Sequence, residues 1–183
     1  MLLTEFDANR QAIINPEALH EPLEGFPKIA VSCFSRLTFQ RMLEMFPHEL
    51  IYETSMANVA IPIYKLVIDD NELAIFNAPV GASACVGILE DIFVLGADKL
   101  VLFGTCGVLD EDIKETSIII PSHALRDEGT SFHYVEASDE IAVNVGVLDH
   151  FRSYLNERQI SHKEGKVWTT DGIYRETNGK LKA

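Results

Sequence analysis

Three short segments gather residue types able to do chemistry. Gly104-Thr105-Cys106-Gly107 follows directly on an apolar run that ends at Phe103. Its glycines let a backbone approach a ligand closely or take positive φ, successive N–H groups can form an anion-binding nest, and Thr105 adds a hydroxyl. The same four residues also make an ordinary tight turn at a strand end. Leu125–Tyr134 (LRDEGTSFHY) packs charge, hydroxyls, an imidazole and aromatics into one stretch after a proline. It reads either as a binding loop or as a structural network with Arg126 paired to a carboxylate. Val167–Thr177 (VWTTDGIYRET) carries the only Trp, an Asp and a Tyr. Aromatics at a strand mouth can stack a flat base, although an aromatic there is more often just core.

These segments need elements to position them, and apolar periodicity supplies the candidates. Lys28–Ser32, Lys99–Phe103, Ser117–Ile120 and Val167–Thr170 read as strands, with KLVLF (99–103) patterned as a strand covered on both faces. Ile61–Ile68 and Leu73–Phe76, separated by Asp69-Asp70-Asn71, read as a hairpin. Helical spacing predicts helices over Leu37–Phe46, Ser83–Leu95 and Glu140–Arg158, the last with Ile141, Val145, Leu148, Phe151 and Leu155 as its core stripe. Alternation of this kind implies an α/β three-layer sandwich around a central mixed sheet, expected to form one domain over residues 1–183. Ligands in such folds sit outside the carboxyl ends of strands, which is where the glycine turn lies.

Composition narrows the function further. Fifteen Lys and Arg against 28 Asp and Glu give a formal net charge of −13 on 183 residues. That argues against nucleic acid or an anionic membrane as partner, since phosphate backbones need a basic footprint. A small anion held by a few local donors stays possible. Met1–Arg10, with Glu5 and Asp7, does not read as a signal peptide, and no apolar stretch reaches membrane-spanning length. Cys33, Cys85 and Cys106 share no CxxC spacing, which fits reduced thiols in a cytoplasm, and the six histidines form no HxxxH or HExxH pattern for a metal.

Taken together and in order, GTCGVL, SIIIP leading into LRDEGTSFHY, and VWTTDGIYRET resemble the nucleoside phosphorylase superfamily, in its uridine/purine nucleoside phosphorylase branch. The resemblance runs from about Ile13 to Thr177. It implies a phosphorylase/hydrolase-like fold and a pentosyltransferase: phosphate cleaves the N-glycosidic bond of a purine or pyrimidine nucleoside, giving free base and ribose 1-phosphate. Phosphate is then a co-substrate, and no cofactor or metal is implied. Carried onto this chain, Arg36, Gly104 and Thr105 would hold phosphate. Thr105, Cys106, Gly107, Asp171, Ile173 and Tyr174 would line the ribose and base site, and no catalytic acid or base is assigned. The family also implies a homo-oligomer, a dimer or trimer of dimers, and the apolar Ile51–Val67 region (Tyr52, Met56, Ile61, Ile63, Tyr64) is the expected interface, or else part of the chain's own core.

This sequence departs from the family's pattern at named positions. Ser32-Cys33-Phe34-Ser35-Arg36 stands where the family has Gly-Asp-x-x-Arg, keeping only the Arg. Leu102 stands where many members carry an Arg two residues before the glycine turn, and no Arg occurs between Pro47 and Lys99. Thr177 and Gly179 stand where uridine phosphorylases place the Gln and Arg that read uracil, so purine against pyrimidine stays open. Against the family's length the domain is expected to lack its C-terminal part. The alternatives are accordingly a nucleosidase-type hydrolase of the same fold and a non-catalytic truncated remnant.

Overall fold

Among the residues that the computed structural model describes, 5–114 and 118–182, the elements run in chain order as follows. They are β1 (Ile29–Cys33), α1 (Arg36–Met45), β2 (His48–Met56), β3 (Val59–Ile68), β4 (Asn71–Asn77), α2 (Ala82–Leu95) and β5 (Lys99–Phe103). Then come β6 (Ile118–Asp127), β7 (Glu140–Ala142), α3 (Val145–Glu157) and β8 (His162–Thr170). The chain divides into two compact units, Asn9–Thr105 and Cys106–Ala183 with Met1–Ala8. Ser117, the first residue of one expected strand, lies outside the described residues.

In the unit of Asn9–Thr105, the strands form a mixed sheet in the order β2-β3-β4-β1-β5. The two hairpins are antiparallel, while β1 runs parallel to both β4 and β5. Asp69 and Asp70 both take positive φ, 47° and 63°, the type I′ geometry whose twist matches the flanking strands, so the hairpin expected there forms. Along β3 and β4 successive side chains alternate between two cores. Ile61, Ile63, Ala74 and Phe76 pack with Cys85, Ile88, Ile92 and Leu95 of α2. Leu66 and Ile75 pack on the other face with Phe39 of α1. A helix, a mixed sheet and a helix thus make the expected α/β layering in this unit.

Several expectations need correction here. Tyr52, Met56, Ile61, Ile63 and Tyr64, offered as interface residues, are buried in or packed against the two cores of their own unit, because β2 (not expected as a separate strand) joins β3 in the sheet. Lys99–Phe103 is not covered on both faces. As β5 it is the outer strand of its sheet, with Leu102 39% and Phe103 40% exposed. Continuous apolarity suited a central strand, but an outer strand has only one neighbour.

Part of this unit's stability comes from a polar clasp on α2. His20 Nδ1 lies 3.1 Å from the Tyr52 hydroxyl, its Nε2 lies 3.1 Å from Asp91 Oδ1, and Thr54 Oγ1 donates to Asp91 Oδ2 at 2.8 Å. With the Leu23 amide on the Leu95 carbonyl at 3.0 Å, it ties the segment before β1 to α2 and β2.

In the unit of Cys106–Ala183, β7-β6-β8 form a second sheet, so the four strands expected in one sheet divide between two. Pro121 does not end its strand. β6 continues to Asp127, and its register against β8 shifts between Pro121 and His123, an irregularity of the kind that lets a strand carry a proline. Leu125-Arg126-Asp127 is therefore strand rather than loop. The expected helix from Glu140 also starts late. Glu140, Ile141 and Ala142 pair with β6, and Asn144 then caps α3 by accepting the Val147 amide at 3.2 Å. Ile141 and Val145 consequently stay exposed, while Leu155 is buried and Leu148 and Phe151 half-buried. Arg152 braces α3 to β8 by donating to both Glu164 carboxylate oxygens, at 2.6 and 2.7 Å, which holds the Glu164 carboxyl below its ordinary pKa. No helix among the described residues is long and apolar enough to cross a membrane.

The α2 core generates a direct test. Ile88 is fully buried between α2 and the sheet, so Ile88→Ala should lower the unfolding free energy by about 2–5 kcal/mol. Leu37→Ala, on the open side of α1, should change it by no more than about 0.5 kcal/mol. Chemical denaturation of the two variants compares them directly.

Candidate active site

Parallel pairing decides what meets at the carboxyl edge of the first sheet. Cys33 of β1 pairs with Asn77 of β4 on one side and with Phe103 of β5 on the other. The loops that leave β1 and β5 therefore start side by side. Phe34, the next residue after β1, lies against Gly104, the next after β5: a Cβ built on Gly104 would stand 3.1 Å from Phe34 Cδ2. Gly104 thus serves close approach to the Phe34 ring rather than a left-handed φ. Beyond it Thr105 is exposed.

Ser35 and Arg36 follow Phe34. Ser35 is the N-cap of α1, its hydroxyl accepting the Thr38 amide at 3.2 Å and the Thr38 hydroxyl at 3.0 Å. Arg36 is therefore the first helical residue, exposed, and beside the positive end of the α1 dipole. The sequence signal for this adjacency was present in the buried run and the helix start. The contact between Phe34 and Gly104 had none, since it depends on strand register.

The same edge is held by a network that the sequence did not suggest. Ser32 is fully buried; its hydroxyl donates to the Phe76 carbonyl at 2.9 Å and accepts the Ala78 amide at 3.0 Å. Asn77 Nδ2 and the Ala78 amide both donate to the Cys33 carbonyl, at 2.6 and 3.1 Å. Cys33 itself is buried, which pushes its thiol above the ordinary cysteine range. Where the family pattern has Gly-Asp, Ser32-Cys33 is thus interior support rather than surface chemistry.

Cys106, Gly107, Asp171, Ile173 and Tyr174 belong to the second unit. Cys106 and Gly107 are exposed; Cys106 borders an open depression with Val108, Leu109, Asp110, Glu111 and Ile113. Asp171 begins the loop after β8, where its amide donates to the Asp127 carbonyl at 3.1 Å and its carboxylate accepts the Gly129 amide at 2.9 Å. Ile173 and Tyr174, in a single turn of 3₁₀ helix, are 72% and 95% exposed. So within this unit Asp171 is joined to the LRDEGTSFHY segment, while Tyr174 projects from the loop.

Arg126 resolves the two readings of that segment. It is only 8% exposed, and none of the bonds found for its guanidinium goes to a carboxylate. Nε donates to Ser131 Oγ at 2.8 Å, one terminal nitrogen to the Glu136 carbonyl at 2.7 Å and Ser138 Oγ at 2.8 Å, and the other to the Val135 carbonyl at 3.4 Å. The Phe132 ring lies 4.1 Å away in cation–π contact. Glu128 accepts both the amide and the hydroxyl of Ser131. Around Arg126 the segment forms a structural network with the residues that follow it, with neutral oxygens in place of the expected carboxylate partner. Replacing its centre should be costly. Arg126 is buried while its acceptors on Ser131, Val135, Glu136 and Ser138 are half-buried or exposed, so water can reach some of them after Arg126→Met. Losing bonds worth about 1.5–3 kcal/mol each to a charged group should still lower the unfolding free energy by about 2 kcal/mol. Thermal or chemical unfolding measures it, and an unchanged midpoint would show that water replaces the network.

Among the described residues no three or more His, Cys, Asp or Glu side chains converge as a metal site would require. Comparison with known proteins supplies a context for this geometry. The family model described as the phosphorylase superfamily matches residues 28–183. The uridine phosphorylase of Treponema pallidum is 29% identical over 94 residues, 51% of this chain and 36% of that protein. A crystal structure of uridine phosphorylase from Vibrio fischeri superposes with a TM-score of 0.74 at 19% identity, covering 93% of this chain and 70% of that one. The 5'-methylthioadenosine/S-adenosylhomocysteine nucleosidase of Helicobacter pylori does so at 0.67 and 18%, covering 87% and 70%. The structural likenesses, at such identities, establish the fold. The matched stretch spans between about a third and a half of the curated relatives' length.

Proposed function

The chain belongs to the phosphorylase superfamily, and from that premise we propose that it cleaves nucleosides by phosphorolysis. The observation that carries the reading is the adjacency of the β1 and β5 ends, where Arg36 and the Gly104-Thr105 turn flank the contact between Phe34 and Gly104. A guanidinium, a hydroxyl and a glycine backbone at neighbouring strand ends suit a small anion. In this proposal Arg36, Gly104 and Thr105 serve phosphate. Thr105, Cys106, Gly107, Asp171, Ile173 and Tyr174 serve ribose and base. A phosphate oxygen attacks C1′ as the bond to the base nitrogen breaks. The bonding pair leaves with the base, which takes up a proton, and phosphate's negative charge stabilises the oxocarbenium-like sugar between them.

One observation favours a second reading, hydrolysis. Leu102, on β5 just before the turn, is apolar and 39% exposed where many relatives carry a phosphate-binding Arg. Water would then replace phosphate as nucleophile and free ribose would be the sugar product.

Base release from purine and pyrimidine nucleosides, measured with and without inorganic phosphate, separates the readings. Phosphorolysis requires release to depend on phosphate and to yield ribose 1-phosphate. Release indifferent to phosphate establishes hydrolysis, and calorimetric binding without turnover establishes a non-catalytic remnant. Under phosphorolysis, Thr105→Ala should raise the phosphate KM by about tenfold or more, the worth of a hydrogen bond to a charged group, while lowering stability by no more than about 1.5 kcal/mol.

Homo-oligomer formation belongs to the same proposal, now without Ile61 and Ile63 as its support, since the unit's own core uses them. Leu50, Val59 and Val67 of the same hairpin remain exposed, Leu50 on one face of the sheet and the two valines on the other. Sedimentation velocity at micromolar concentration should show a species at least twice the 20.4 kDa chain mass; a monomer would reject assembly.

A further inference from the structure

The loop after β8 is anchored on one residue from both ends. At its start the Asp171 amide donates to the Asp127 carbonyl at 3.1 Å. At its far end the Lys180 ammonium donates to the Asp127 carboxylate at 2.7 Å. Trp168 Nε1 donates to the same carboxylate oxygen at 3.2 Å, and the Lys180 ammonium lies 5.8 Å from the centroid of the Trp168 ring. Asp127 ends β6 and pairs with Thr170 at the end of β8, so the anchor itself is fixed by the sheet.

Between the anchors the hydrogen bonds among the described residues are local. The Arg175 amide donates to the Gly172 carbonyl at 2.7 Å and the Leu181 amide to the Thr177 carbonyl at 3.1 Å. Ile173 and Tyr174, with most of their surface in water, give the loop little burial to hold it. Its placement therefore rests on its ends. An exposed ion pair stabilises little by itself, but one that closes a loop also removes the loop's freedom to open. The carboxyl of Asp127 is held below the ordinary carboxylate range, first by its hydrogen bond from Lys180 and then by that from Thr170.

We propose that Lys180 is a positioning residue, a strap that locks onto Asp127 and Trp168 and holds residues 172–179, with Ile173 and Tyr174, in place for the base of the nucleoside. Its functional half rests on the reading that this loop serves the base; its structural half does not. Lys180 and Asp127 are both partly exposed at the sheet's edge, so releasing the strap frees the loop without opening a core.

Trp168 is the chain's only tryptophan, and its emission reports the clasp directly. The test uses the full chain with Lys180→Met, which keeps an unbranched side chain and removes the ammonium. Expected are a changed Trp168 emission, faster amide exchange confined to residues 172–179, and an unchanged unfolding midpoint. Lys180→Arg should restore the first two. Asp127→Asn should reproduce the faster exchange, and the double variant should add nothing to it, as two partners of one contact require. The nucleoside KM of Lys180→Met should rise roughly three- to tenfold, the worth of an ion pair and the ordering it imposes, with the phosphate KM unchanged. Wild-type exchange and emission in Lys180→Met would overturn the strap. A loosened loop with an unchanged nucleoside KM would overturn its positioning role. If the wild-type chain releases no base from any nucleoside, the phosphorolysis reading fails instead, and exchange and emission still decide the strap.

Discussion

Strand β1 is the constraint on which the candidate phosphate side depends. It runs parallel to β4 and to β5, so three strands deliver their carboxyl ends to one edge of the sheet. A parallel neighbour on each side leaves its residues almost no exposed surface, and Ala30, Ser32 and Cys33 are buried. Ser32 turns that burial to use. Its single hydroxyl joins the Phe76 carbonyl to the Ala78 amide, satisfying two backbone groups where β4 leaves the sheet and its ladder partners end. At Gly104 the missing side chain leaves room for the Phe34 ring, 3.1 Å from where a Cβ would stand.

The second unit relies on polar rather than apolar centres. Among its described residues the buried apolar side chains are Ile120 and Leu155. The loops around β6 and β8 are instead organised by charged side chains that collect backbone groups. Arg126 gathers the segment after β6 through neutral oxygens and the Phe132 ring. Asp127, the next residue, points to the opposite face of the strand and gathers the segment after β8. Alternation along one strand thus assigns one charged residue to each loop. Such centres hold only while their partners stay in place, which links loop order to local electrostatics more closely than a packed core would.

The family likeness and these two arrangements bear on different levels. Family membership establishes the fold and the broad chemistry of relatives. The departures, Leu102 without a guanidinium and Ser32-Cys33 turned inward, fall in the proposal on the nucleophile's side of the site. In the same proposal the loop of Asp171 to Lys180 serves the base's side.

Much of this was legible in the amino-acid sequence. Apolar runs marked β1 and β5, branched and aromatic residues marked the end of β8, the stripe of Ile88, Ile92 and Leu95 marked α2, and Asp69-Asp70 marked a hairpin, because each rests on local periodicity or turn chemistry. Three glycine- and aromatic-bearing segments were also visible as clusters of residue types. What needed tertiary structure was everything set by pairing between distant segments. Pairing with β6 turned Glu140–Ala142 from helix to strand, a register irregularity carried β6 through Pro121, and the outer place of β5 exposed a run that looked central. The contact of Phe34 with Gly104 and the convergence of Trp168 and Lys180 on Asp127 join residues about 40 to 70 positions apart. No local pattern encodes such contacts, because they exist only once the strands choose their neighbours and registers.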